Sequence, residues 1–299
     1  MARLKDRDAT ILAMKRLRPL IAILVIVLTV AAFIYYFFQH PEVGHQLKQT
    51  SLALLIWLLV LYLGSILALA GTTVATLKLC RLNVGVSESF LLTAYSAVIN
   101  FFGPLQSGPA FRAAYLKKKY DLNLKKFAAA SLVYLFFWGA YSGLMLLYGL
   151  LHWGLLVLIL VAVVSALIAK KVPVISRRLE GLALKWWYLL AAATLVQIAF
   201  VAVIYYSELR SVAPSTSFSQ AIIYTGAANL ALYVSLTPGA IGFREAFLLF
   251  SQRLHHISST TIVAASILDR AVYVVLLLGL AVFIFGTHVN SRLQSVKNR

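Results

Sequence analysis

Pro104-Leu-Gln-Ser-Gly108 and Pro238-Gly-Ala-Ile-Gly242 each interrupt an apolar run with proline and glycine four apart, and Arg112 and Arg244 follow closely. Proline removes a backbone donor and glycine loosens the chain, so both break a helix. Inside a membrane such a break survives only where protein or a wet cavity satisfies the freed backbone groups. Paired breaks at corresponding places in two halves of a chain mark a transporter's binding site. Pro104, Gly108, Pro238, Gly239 and Gly242 are therefore read as the corners of two interrupted helices.

The surrounding composition fits that reading. Hydrophobic residues make up 62% of 299 and charged residues 12%, whereas a soluble domain is about half apolar and about a quarter charged. A spanning helix needs about 20 mostly apolar residues. Stretches 19–38, 52–77, 127–150, 153–169, 186–206 and 262–286 qualify. The first exceeds a signal-peptide core of roughly 7–15 residues and lacks a clear cleavage site, so it reads as a retained helix. The last takes Asp269 and Arg270 into the membrane. The single cysteine, Cys80, excludes an intrachain disulfide and a cysteine-cluster metal site. The net charge of +18 is assigned to inside loops and anionic headgroups, with no nucleic acid.

Charge placement sets the topology. The uncharged stretch from Phe90 to Gly103 is 14 residues, short for a crossing. If 87–116 and 218–249 are re-entrant hairpins, segments 1–18, 78–86, 112–126, 170–185 and 287–299 lie inside and hold 22 of the 27 Lys and Arg residues. A full crossing at 87–104 would put the cluster from Arg112 to Lys126 outside, against the positive-inside rule. The expected fold is thus an all-α polytopic membrane protein, one domain over 1–299. It has six full crossings, two re-entrant helical hairpins and both termini cytoplasmic. Repeat 1 covers about 52–150 and repeat 2 about 186–286, related as inverted repeats with the site at their interface.

Two signatures carry a family resemblance. Pro104-x-x-x-Gly108-x-x-x-Arg112 with the following Ala-Ala-Tyr-Leu-Lys-Lys, and Pro238-Gly-Ala-Ile-Gly242-Phe-Arg-Glu245-Ala, resemble those of the lysylphosphatidylglycerol synthase transmembrane-region family over about residues 15–290. The chain departs from it in Ala240, where a glycine is usual, and in helix 127–150, which carries Tyr134, Trp138 and Tyr141 in place of charged residues. The resemblance implies a flippase-type translocase in a bacterial or archaeal cytoplasmic membrane, moving a polar-headed lipid between leaflets. The soluble aminoacyl-transfer half of the family's two-part members has no room here.

With that implication, Arg112, Arg244 and Arg270 become candidates for holding lipid phosphate, which a guanidinium matches in shape and charge. Glu245 and Asp269 would balance them, and Asn100, Gln106, Asn229 and Thr237 add hydrogen-bonding groups near the hairpin tips. The plainer alternatives are an ion pair between Arg244 and Glu245 and a pairing of Asp269 and Arg270 with the second hairpin. Neighbouring Asp269 and Arg270 point about 100° apart, so each is expected to find another partner. Gly139-Ala-Tyr-Ser-Gly143 suits close helix packing, within the chain or in a homo-oligomer. His255 and His256 read as a plain external loop. No Walker loop, catalytic triad, HExxH or paired-carboxylate motif occurs, so no cofactor and no enzymatic activity are expected. The expected partner is membrane lipid, anionic phospholipid above all. The rival readings are an accessory or scaffold subunit bound to an envelope biosynthetic enzyme and, behind it, an intramembrane lipid-modifying enzyme.

Overall fold

The computed structural model describes residues 50–102, 107–148, 184–234, 240 and 243–297, and every regular element among them is a helix. The expected crossings 19–38 and 153–169, and the corner residues Pro104, Gln106, Thr237, Pro238, Gly239 and Gly242, lie outside the described residues.

Helix α1, Leu52–Leu79, starts at Ser51, whose side chain accepts a hydrogen bond from the Leu54 amide at 3.2 Å. That satisfies one of the donors a helix start leaves orphaned. Ile56, Val60, Leu63 and Leu67 form an exposed stripe at helical spacing, while Leu58, Leu61 and Tyr62 are buried. An apolar stripe turned outward suits lipid. Four described helices are long and apolar enough to cross a membrane: Leu52–Leu79, Leu124–Leu147, Lys185–Val212 and Ser259–Ile284. These correspond to four of the expected spans.

Helices α2, Val86–Phe102, and α3, Ser107–Tyr120, flank the first interruption. With 17 residues, α2 is about 26 Å long at 1.5 Å per residue, under the roughly 30 Å of a hydrocarbon core. α3 folds back along α2. The Ser107 hydroxyl donates to the Ile99 carbonyl at 2.9 Å, and a Cβ on Gly108 would stand 2.4 Å from the Ser96 carbonyl oxygen. Only glycine permits that approach.

Helix α4, Leu124–Leu147, is capped by Asn123, which accepts from the amides of Lys125 and Lys126 at 3.0 and 3.2 Å. Helix α5 runs Leu184–Val212, longer at both ends than the 186–206 expected. Helix α6, Phe218–Val234, opens on a reciprocal cap between Ser217 and Gln220. Helices α7, Phe243–Phe250, and α8, Gln252–His255, lead into α9, Ser259–Lys297. His255 does not lie in a plain loop. It is fully buried, its Nε2 placed 3.1 Å from the Leu248 carbonyl and its Nδ1 accepting from the Ile257 amide at 3.2 Å. Two backbone groups left over at this corner need one donor and one acceptor, and a neutral imidazole supplies both.

The packing partners repeat. α2 packs on α3 as α6 packs on α7, and α1 on α2 as α5 on α6. α3 meets α4 as α7 meets α9, and α2 lies against α9 as α6 lies against α4. Exchanging the unit α1–α4 with the unit α5, α6, α7 and α9 leaves these neighbours unchanged, with α8 as an addition. α1 and α5 pack together along the centre, where a Cβ on Gly64 would run into the Phe200 ring at 2.5 Å. Each broken helix therefore rests on the closing helix of the other unit. The α4–α6 contact is tightest at Gly226, where a Cβ would lie 2.4 Å from the Leu146 nitrogen. Of the small-residue pair on α4, a Cβ on Gly139 would meet Tyr233, while one on Gly143 would meet nothing within 4 Å among the described residues.

Candidate functional site

Arg244 is the second residue of α7, directly after the second interruption, and only 4% exposed. Asp269 lies ten residues into α9, about 15 Å from its start. The two meet at 2.6 Å between Arg244 Nη1 and Asp269 Oδ2. The adjacent Glu245 is farther from Arg244, at 3.5 Å, and the same Glu245 Oε1 is 3.5 Å from Arg270. Asp269 and Arg270 approach one another only to 4.0 Å, so the principal partners of both come from α7, as their angular separation requires. Arg244 also donates to the Tyr205 hydroxyl at 3.1 Å and sits over that ring.

The cluster extends to a residue that the sequence reading passed over. Glu208 on α5 is 1% exposed, and its Oε1 is 3.1 Å from the Tyr62 hydroxyl. Tyr62 also hydrogen-bonds Asp269 Oδ1. Ending the span at residue 206 put Ser-Glu-Leu-Arg in a loop. No proline or glycine intervenes before Pro214, and that absence was the available signal that the helix continues past Glu208.

A cavity of about 320 Å³ borders this cluster. Arg112, Asn100, Asn229, Arg244, Asp269 and Arg270 all line it, together with Tyr134 and Gln197. Glu245 is next to the cluster and does not line the cavity. Arg112 donates to the Thr73 hydroxyl at 2.9 Å and has no carboxylate within ion-pair distance among the described residues. Its Nε is buried without a hydrogen-bond partner among the described residues. Asn229 is 1% exposed, and neither its amide nitrogen nor its oxygen has a partner among the described residues. Buried polar groups are normally satisfied, so these atoms mark where water or a polar ligand belongs. Asn100 accepts from the Gly108 amide at 3.4 Å and thereby helps fasten the α2–α3 turn.

Ala240 holds φ 59°, in the left-handed region. A side chain there costs on the order of 1 kcal/mol that glycine would not incur. The arrangement thus places a strained residue three positions before the start of the α7 helix that presents Arg244.

A second polar group sits at the base of the first hairpin. Lys119 pairs with Glu88 at 2.7 Å, and Tyr115 and Tyr120 each donate to the same carboxylate at 2.7 Å. Burial pulls the Glu88 carboxyl up, and the bonds from Lys119, Tyr120 and Tyr115 outweigh it, holding it below the usual carboxylate range. No group of three or more His, Cys, Asp or Glu suited to a metal ion occurs among the described residues.

A family model described as the lysylphosphatidylglycerol synthase TM region matches residues 20–281. No curated protein and no solved structure matches the chain.

Proposed function

The chain belongs to the lysylphosphatidylglycerol synthase transmembrane-region family, and on that membership and the cavity we propose that it carries a polar-headed lipid between leaflets. It is a membrane protein of a lipid-related family. In our reading α2–α3 and α6–α7 are re-entrant hairpins, inverted with respect to one another, within six full crossings whose termini face the cytoplasm. Headgroups pass through the cavity while acyl chains stay in surrounding lipid. Arg112 is the first phosphate partner and Arg244 and Arg270 the next, with Asn229 and Gln197 replacing headgroup water.

One observation carries the reading: Arg112 lines a cavity inside an apolar-faced bundle without a carboxylate partner among the described residues. A buried cation without a counter-ion is costly, and an anionic phosphate would relieve that cost. The internal pairing of Arg244 with Asp269 favours the rival reading of these residues, a rigid accessory subunit for an envelope biosynthetic enzyme.

Reconstituted protein is expected to speed leaflet exchange of fluorescent phospholipids without nucleotide. Arg112→Gln is expected to slow exchange about tenfold, the effect of ~1.4 kcal/mol lost at the barrier, with the melting temperature retained. Arg244→Gln and Asp269→Asn act in the same direction. If zwitterionic and anionic lipids both exchange no faster than in empty liposomes, the accessory reading replaces this one.

A further inference from the structure

The Tyr62 hydroxyl lies within hydrogen-bond reach of two carboxyl groups, Glu208 Oε1 at 3.1 Å and Asp269 Oδ1. A phenol has one hydrogen to donate, and an ionised carboxylate only accepts. Two ionised carboxylates would leave one of these contacts as oxygen facing oxygen with no proton between them. One carboxyl must therefore supply a hydrogen. Asp269 is bound to the Arg244 guanidinium at 2.6 Å, which fixes it as the anion. Glu208 has no cation within ion-pair distance among the described residues, and Tyr62 is its side-chain partner.

Charge balance leads to the same place. Among the described residues the buried cluster holds three carboxyls, Glu208, Glu245 and Asp269, against two guanidiniums, Arg244 and Arg270. It is neutral when one proton is bound. Around Glu208 stand Tyr62 from α1, Arg244 from α7, Asp269 and Arg270 from α9, and Tyr205 on α5 itself, with Tyr224 of α6 beyond Tyr205.

We propose that Glu208 is a proton-binding site and that Tyr62 relays its proton to Asp269 at the cavity wall. In the transfer Glu208 gives its proton to the Tyr62 oxygen as Tyr62 gives its own to Asp269. Glu208 becomes the carboxylate, Asp269 the acid, and the phenol is unchanged. The trigger is loss of Arg244 from Asp269, as happens when an anionic headgroup takes that guanidinium. Glu208 is four residues from the end of α5 and away from the cavity, whereas Tyr62 and Asp269 line it. The relay's coupling to transport rests on the translocation reading; the proton site does not.

Infrared spectroscopy of the full chain in liposomes reads the site directly. A carboxylic-acid C=O band, shifting in D₂O, is expected at neutral pH, to be lost in Glu208→Gln and displaced in Tyr62→Phe. A band that survives Glu208→Gln, or no such band in the unaltered protein, overturns the site. Phospholipid exchange in the same liposomes reads the coupling. A gradient of one pH unit, a tenfold ratio of proton activity, is expected to accelerate exchange up to about tenfold in the unaltered protein and not in Glu208→Gln. Exchange that ignores the gradient overturns the coupling. Absent exchange with the Glu208 band in place removes the translocation reading and leaves the proton site standing.

Discussion

Arg244 reaches past its sequence neighbour to a carboxylate 25 positions away. Its 2.6 Å contact is with Asp269, and Glu245 is 3.5 Å off. Breaking a buried pair from one side leaves a charge stranded, which costs about 3–5 kcal/mol, whereas removing both partners costs much less. Asp269→Asn is therefore expected to lower the melting temperature in detergent more than the double change Arg244→Gln with Asp269→Asn. Losses that simply add would show that the two residues act separately. Arg244, Asp269 and Arg270 were legible in the sequence because ionisable residues stand out within apolar stretches. Glu208 was not, because its polar neighbours imitate a helix end. Nor does adjacency show which carboxylate an arginine selects; that follows from which helices pack.

At the scale of elements, glycines separate close crossings from incidental spacing. Gly226 presses on the backbone of α4, and Gly108 on the backbone of α2. Backbone atoms cannot swing aside, so Gly226→Ala and Gly108→Ala should each destabilise by ~1–3 kcal/mol through overpacking. Gly143→Ala meets open space and should stay within about 0.5 kcal/mol of the parent. Thermal unfolding of the three variants checks this, and equal losses would contradict the packing described. The sequence pattern singled out Gly139 and Gly143, yet the tighter contact comes from the facing helix, where Gly226 has no partner glycine to announce it. The long apolar helices were recognisable from hydropathy. Their ends were not: α5 continues through Ser207 and the buried Glu208, and α9 runs on to Lys297.

For the whole molecule, topology is the open quantity, and the charge distribution makes a definite forecast. In a background with Cys80 replaced, Lys119→Cys is expected to be shielded from a membrane-impermeant thiol reagent added to intact cells, and Leu254→Cys to react. Labelling at 119 from outside would mean that α2 crosses completely, and the inverted arrangement proposed above would be lost. The two proline-glycine breaks led to the expectation of two related units, and the helix pairs that pack together follow a matching order in both. What those breaks could not convey is the crossed packing, with α2 on α9 and α6 on α4. That arrangement has a consequence for synthesis. When the ribosome has delivered α1 to α4, the first broken helix still lacks the surface it rests on, because α9 is the last described helix to emerge. The nascent first half must wait in the membrane with an open seam on the face of α2 that α9 later covers. A chain that stalls before α9 is thus expected to leave that seam uncovered, a surface that membrane quality control could read.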